Sequence, residues 1–400
     1  MIIAPPILPP ILIIILLAGF STLSETVYIP SLPDIAISLN TSESMIEHTL
    51  TIYLFAFTLG ILFWGNLSDK IGRKPCVIQG LIIYIIGCIG CYFSINIEML
   101  MLSRFVQAFG ASIGSVLGQS IVRDIFTGKD LAKAYTNVSI SLAIFPFIGP
   151  IIGGTITEKF SWYSVFLFLM LFALAFIILV VAKLPETNKF KKNTNQSLLK
   201  VALRLYKDSK VIRLGLLVAI CNGIIFSYCA EGPFYLMNIL GLSPREYGLT
   251  FIAIAISVMF GGNISKRLQK KNYSPKSVMN SGIKVMLTSC ISFCFFIIVH
   301  SYITPLSVAS LIAATVLSQM MLNLGICMTT SNALTLALED YRDVTGTASS
   351  IFGCFYYFFT SIFTLVMGLL HNGSLTTMPF YFLFLACIMI IINQFQDESD

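Results

Sequence analysis

The sequence predicts an all-α integral membrane protein, with twelve membrane-spanning helices in two pseudo-symmetric six-helix halves. Three observations predict it. Of 400 residues, 56% are hydrophobic and only 11% charged, and the mean hydropathy is +0.86. The apolar residues form nearly uncharged runs about 20 residues long, the length that crosses a hydrocarbon core. Lys and Arg concentrate between alternate runs, as insertion topology places them. Backbone groups in lipid must be satisfied within a span, so continuous runs read as helices. A membrane β-barrel would show alternation instead.

The first run covers 7–29. Met1 to Pro10 carries no Lys or Arg, so the run reads as a retained helix and not as a cleaved signal peptide. Pro30, Pro33 and Asp34 mark a short outer loop, and the second run covers 48–64. Next comes Gly65-Asn66-Leu67-Ser68-Asp69-Lys70-Ile71-Gly72-Arg73-Lys74-Pro75, the first concentration of charge. It reads as a very short loop. Gly65 permits close backbone approach, Gly72 supplies a φ > 0 turn, and Pro75 opens the next helix as its first residue. Lys70, Arg73 and Lys74 mark the cytoplasmic side. The third to sixth runs cover 76–93, 100–121, 135–156 and 163–182. Arg123, Lys129 and Lys133 return the chain inside between the fourth and fifth, while Glu158 and Lys159 lie outside.

The only long polar stretch, 183–213, carries Lys189, Lys191, Lys192, Lys200, Arg204, Lys207 and Lys210. It divides the chain into a first half (1–182), a cytoplasmic linker (183–212) and a second half (213–400). Within it, 198–206 reads either as a basic amphipathic helix on the membrane surface or as solvated linker. The remaining runs cover 213–235, 247–264, 278–299, 305–328, 347–370 and 377–393. Lys266, Arg267, Lys270, Lys271 and Lys276 fall between the eighth and ninth, and Arg342 between the tenth and eleventh. Charge thus predicts both termini in the cytoplasm. A repeat agrees with two halves: Gly65-Asn66-Leu67-Ser68-Asp69-Lys70 matches Gly262-Asn263-Ile264-Ser265-Lys266-Arg267, each after the second run of its half.

Several function classes are disfavoured. The net charge of +6 lies in the loops and gives no reason to expect nucleic acid. The ten cysteines fall in or beside apolar runs and read as small buried residues, without a disulfide framework or metal site. His48, His300 and His371 form no ligand-like cluster in sequence, which argues against a membrane enzyme. No phosphate-binding glycine loop is present, which argues against ATP-driven transport.

Two acids lie inside apolar runs. Glu25 sits late in the first and Glu231 late in the seventh, its counterpart. A charge at the centre of a membrane helix costs about 2.5–3.5 kcal/mol on insertion scales, so such groups face cavities or partners. Each suits a carboxyl that takes up and releases protons. For Glu25 the alternative is snorkelling to the outer headgroups. For Glu231 it is a helix ending at Gly232-Pro233. The two acids are placed to face each other between the halves. Tyr28, Tyr53, Tyr235, Gln319, Asn323 and Tyr357 are candidates for a cavity suited to amphipathic or cationic molecules, or for plain packing.

The Gly65–Pro75 stretch closely resembles the signature between helices 2 and 3 of the major facilitator superfamily of transporters. Arg104-Phe105-Val106-Gln107-Ala108-Phe109-Gly110-Ala111-Ser112 resembles that superfamily's helix 4 motif, and the resemblance implies a proton-coupling role for Arg104. Pro146 to Gly154, with Gly149, Pro150 and Gly153, resembles the second half of the helix 5 antiporter motif and implies export. Gly65, Asp69, Gly72, Arg73, Arg123 and Asp124 match the superfamily's conformational latch, which works against the start of helix 11.

Finer resemblance is to the bicyclomycin-resistance and chloramphenicol-efflux branch. It rests on Tyr28-Ile29-Pro30-Ser31-Leu32-Pro33, Ile121-Val122-Arg123-Asp124-Ile125-Phe126, Leu184-Pro185-Glu186-Thr187, Gly241-Leu242-Ser243-Pro244 and Gly346-Thr347-Ala348-Ser349. One departure is that the branch's helix 1 acid falls at Thr26 here, and the carboxyl is one residue earlier, at Glu25. The resemblance implies a monomeric drug/proton antiporter in a bacterial inner membrane. Its energy source would be the proton gradient, with no cofactor and no metal, and its partners a small-molecule substrate, protons and the lipid bilayer. The alternatives are a transporter of a natural metabolite, peptide or siderophore, and a non-transporting receptor.

Overall fold

The computed structural model describes residues 11–126, 128–188 and 198–394 and the side chains of most of them. Lys189, Lys191 and Lys192 lie outside the described residues, as do the side chains of Lys129, Lys133 and Arg342. The helices are α1 (Ile11–Thr26), α2 (Leu32–Ser38), α3 (Glu43–Ile71), α4 (Arg73–Tyr92), α5 (Ile97–Ile125), α6 (Gly128–Lys159) and α7 (Trp162–Lys183). After the linker come α8 (Leu198–Lys207), α9 (Ser209–Pro233), α10 (Pro244–Lys270), α11 (Pro275–Ile298), α12 (Val308–Ala337), α13 (Thr345–Leu370) and α14 (Thr377–Gln394). Among the described residues, 11 spans are long and apolar enough to cross a membrane. The 32-residue α6 fills the remaining place in the order. The protein is a multi-pass, all-helical membrane protein, as the hydropathy pattern predicts.

Helix starts follow local chemistry. Ser42, Asn96, Ser243, Ser274 and Ser307 each accept the backbone N–H three residues on, satisfying donors that have no partner within the helix. Ser243 and Glu246 complete a reciprocal capping box.

Helix ends differ from the sequence expectation in one consistent way. The expected loop Gly65–Pro75 is almost entirely helical: α3 runs to Ile71, α4 starts at Arg73, and Gly72 alone breaks the path. Pro75 is the third residue of α4, not the first. Its missing N–H is harmless there, because first-turn donors have no acceptor within the helix. The break requires glycine, since Gly72 has φ +109° and an added Cβ would lie 2.6 Å from the Glu186 carboxylate. The expected outer loop at Pro30–Asp34 is likewise helical, as a short 3-10 turn followed by α2. Pro233 does not end the seventh span, which continues as a π-helical turn over Phe234–Ile239. Hydropathy marks where lipid stops, whereas hydrogen bonding decides where the helix stops, and these helices run on past their apolar runs.

Within the first six long helices, α5 is the hub, packing on α1, α3 and α4. Among the last six, α12 packs on α9, α10 and α11. Gly110 of α5 lies against the α4 backbone: an added Cβ would be 2.5 Å from the Tyr84 nitrogen. Gly114 and Gly118 lie against α1, so this stripe serves packing. The two groups of helices meet mainly through α3 with α13 and α6 with α10. The amphipathic α8 buries Val201 and Leu205. Its Arg204 stacks on Tyr341 at 4.5 Å.

Candidate functional site

Three constellations could carry function, and they lie at different depths between the helices.

The first surrounds Arg104 of α5, which is completely buried. The guanidinium lies 3.7 Å from the ring centre of Tyr28 and 4.1 Å from that of Tyr53. Each desolvated cation–π contact of this kind is worth about 2 kcal/mol. Arg104 Nη1 donates to Gln107 Oε1, and Gln107 Nε2 reaches Cys88 Sγ at 3.1 Å. The tyrosines are themselves held: Tyr28 Oη bonds Thr49 Oγ1 at 3.1 Å, and Tyr53 Oη donates to Ser24 Oγ at 2.9 Å. Glu25 of α1, only 3% exposed, lies in the electrostatic field of Arg104. Glu25 Oε1 and Arg104 Nε and Nη2 are buried without a hydrogen-bond partner. Such atoms are costly unless something pairs with them during function. Arg104→Lys is expected to lower the thermal unfolding midpoint in detergent, because an ammonium cannot cover two ring faces and reach Gln107 together. An unchanged midpoint would mean that the stacking carries no stability.

The helix 5 motif closes one end of this region. Gly149 and Gly153 of α6 lie directly against Thr26 and Val27 at the end of α1, while Gly154 faces the Pro244 carbonyl of α10. In return Gly248 of α10 faces the Pro150 carbonyl. The motif thus forms a seam with α1 on one side and with the other helix group on the next. Pro146 lies within the same helix.

The second constellation is at the basic face, the end carrying Lys70, Arg73 and Lys74. A cavity of about 790 Å³ opens there between α3, α5 and α13, lined among others by Asp69, Arg73, Arg123 and Asp124 and, across from them, by Thr347 and Ser350. Arg73 bonds Asp69 Oδ1 at 2.6 Å, Asp124 Oδ2 at 2.8 Å and Ser68 Oγ at 2.7 Å. Arg123 Nε is buried without a partner. Asp69, Arg73 and Asp124 therefore do form one network. Thr345 and Gly346, which start α13, lie outside the described side chains.

Glu186 is the residue that sequence reasoning missed here. Its carboxylate accepts the Arg73 and Lys74 backbone N–H groups at 2.9 and 3.1 Å, capping the positive end of α4. Asn188 then bonds the Ser68 and Asp69 carbonyls. The signal was available in the Leu184-Pro185-Glu186-Thr187 stretch. In the repeat, Ser265 takes the place of Ser68 and accepts Asn332 Nδ2 of α12 at 3.2 Å.

The third constellation is at the opposite face: the three histidines do not gather with one another, but His371 meets carboxylates from other helices. His371, just after α13, has Nδ1 2.8 Å from Glu231 Oε2 and 3.1 Å from Glu47 Oε1, and Nε2 2.9 Å from Glu43 Oε2. Asn238 Nδ2 donates to Glu43 Oε1 at 2.6 Å. Glu231 is thus engaged by His371 and by α3, a partner set that sequence reasoning did not foresee. Glu43 and Glu47 sit one turn apart on α3, and no local pattern pairs them with a histidine far downstream.

The remaining cavity candidates converge in part. Tyr28 and Tyr53 flank Arg104, and Tyr357 joins them: it packs 5.1 Å from Phe57, which stacks on Tyr53, and lies in the field of Glu25. Tyr235 packs elsewhere, 6.4 Å from Phe293. Gln319 and Asn323 share one face of α12, with Asn323 Nδ2 bonding the Gln319 carbonyl at 2.9 Å. None of the six lines the basic-face cavity. Residue type alone could not separate packing tyrosines from cavity tyrosines.

The sequence profile of the Major Facilitator Superfamily matches residues 14–365. The chain belongs to the major facilitator superfamily. It is a transporter of that type, not an enzyme. An uncharacterized transporter of Rickettsia felis is 35% identical over 378 residues, covering 93% of this chain and 91% of the relative. The bicyclomycin resistance protein homolog of Haemophilus influenzae is 26% identical, covering 91% of this chain and 89% of its own. The chloramphenicol resistance protein of Pseudomonas aeruginosa is also 26% identical, covering 94% and 88%. Among solved structures, the POT family transporter PepTSo superposes with a TM-score of 0.74 at 12% identity, covering 98% of each chain. This likeness shows the fold. The drug-efflux branch recognised in the motifs agrees with the names of these relatives.

Proposed function

We propose that this major facilitator protein is a drug/proton antiporter of a bacterial inner membrane, exporting bicyclomycin-like or chloramphenicol-like small molecules. Its basic face and both termini are cytoplasmic, following the Lys and Arg distribution. The observation that carries the reading is Glu25, buried in α1 with an unpaired oxygen and in the field of Arg104. Neutralising a carboxyl in that setting changes what the site prefers to bind: a proton or a substrate, alternately. Tyr28 and Tyr53 hold Arg104 in place, so its charge stays fixed while Glu25 changes state.

The structure's shape suits the inward-open part of such a cycle. The cavity lies at the basic face, and the opposite side is closed by the α6–α10 seam and the His371 cluster. Export follows from the α6 motif and from the branch resemblance. Opening of the far side would require the α6–α10 seam to part and the Arg73 network to move against α13.

Everted membrane vesicles with an acidified interior test the reading. Adding chloramphenicol or bicyclomycin is expected to let protons out and dissipate the pH gradient, and only in vesicles containing this chain. Drug uptake that continues unchanged after a protonophore collapses the gradient would refute coupling. No response to either drug would remove the drug assignment.

A further inference from the structure

The cluster at the far face has more negative groups than protons on one imidazole can satisfy. Glu47 and Glu231 are both fully buried, and both aim an oxygen at the same ring atom, His371 Nδ1. The other ring nitrogen is taken, because Nε2 lies 2.9 Å from Glu43 Oε2, and Glu43 is held in turn by Asn238. A proton on Nδ1 can serve only one carboxylate. The contact with Glu231 has hydrogen-bond geometry, whereas Glu47 Oε1, Glu47 Oε2 and Glu231 Oε1 remain buried without a hydrogen-bond partner. Even with a fully protonated imidazole, two ionised carboxyls here would leave one negative charge uncompensated. A buried unpaired charge is among the most expensive features a fold can contain.

We propose that Glu47, Glu231 and His371 form a binding site for a divalent transition-metal cation of the zinc class. One carboxylate oxygen from each glutamate and the Nδ1 atom of His371 all lie within 4.8 Å of one another. In a tetrahedral site, ligands about 2.0–2.2 Å from a zinc-class ion sit about 3.3–3.6 Å apart, so the 2.8 and 3.1 Å separations found here need only open slightly to seat one. Nitrogen and oxygen donors without thiolate suit zinc, cobalt and manganese. Glu43 supplies a feature typical of metal-bound histidine, a carboxylate taking the proton of the non-ligating ring nitrogen. It fixes the tautomer that turns the Nδ1 lone pair toward the ion. Glu43 is partly exposed, with 36% of its side-chain surface open, and provides the entry path. The ligands come from α3, α9 and the end of α13, so a bound cation ties the first six long helices to the last six at this face. The inference stands apart from the drug/proton reading.

The test uses the full-length chain purified in detergent, with Co²⁺ alone as the first probe and Zn²⁺ as competitor. One saturable Co²⁺ per chain is expected, with visible d–d bands, no sulfur charge-transfer band, and displacement by Zn²⁺. Glu47→Gln, Glu231→Gln and His371→Gln should each weaken binding by more than about 100-fold, and Glu43→Gln by about 10–100-fold, the range for outer partners of a metal ligand. Metal-free circular dichroism and the unfolding midpoint check that each variant is folded. Glu43→Gln, at the rim, keeps the test decisive if a buried variant fails to fold. Absence of saturable binding, a cysteine charge-transfer band, or a Co²⁺ affinity left unchanged by Glu47→Gln or by Glu43→Gln would overturn the site. So would an unfolding midpoint that depends steeply on pH but not on chelator or added metal, since a second proton would then be the cation the cluster holds.

Discussion

Glu25→Gln is expected to reduce drug-induced proton movement to background while leaving the protein folded and able to bind drug. The amide keeps the shape of the side chain but cannot exchange a proton. Glu25 is nearly inaccessible and has an unpaired oxygen, so the wild-type carboxyl carries a desolvation cost, and the neutral isostere should not lower the unfolding midpoint. A charge at the centre of a membrane helix costs about 2.5–3.5 kcal/mol on insertion scales, so the midpoint should stay level or rise. The measurement pairs thermal unfolding in detergent with pH-gradient dissipation in everted vesicles. If Glu25→Gln still exchanges drug for protons, the coupling acid lies elsewhere, and Arg104 would be structural.

The largest structural effect is expected from one methyl group. A Cβ placed on Gly153 would overlap the carbonyl oxygen of Val27, and the obstruction is backbone, which cannot rotate away. Gly153→Ala should therefore destabilise by at least about 3 kcal/mol, the upper end for overpacking. Gly262→Ala is the control. Gly262 is also within a helix, yet its nearest neighbour is Cys327 Sγ at 3.8 Å. Alanine should be neutral or slightly stabilising there, since Gly in a helix costs about 0.5–1 kcal/mol relative to Ala. The difference between the two midpoints in detergent isolates the steric term. Equal midpoints would mean that α1 and α6 are not in the close contact described, and the seam would lose its place in the transport cycle.

Much of this protein is written locally. Hydropathy depends on composition within about 20 residues, and the positive-inside bias on residues near each span. The spans and the basic face were therefore readable along the chain. Short motifs were readable too, because Gly149, Pro150 and Gly153 need only helical spacing to fall near one another. Loop extent was not, because Gly65–Ile71 is polar enough to leave lipid yet has no residue that breaks a helix before Gly72.

Partner choice across the bundle could be decided only by the packed helices. Glu231 was visible as a charge in an apolar run, but nothing near it named His371, 140 residues downstream. Glu186 likewise looked like part of a linker until the fold put it against the first turn of α4. Hydrophobicity and helix propensity act through neighbours along the chain. A buried charge takes its energy from whichever opposite charge or dipole the tertiary packing brings within about 3 Å, and short-range order along a sequence holds no record of that distance.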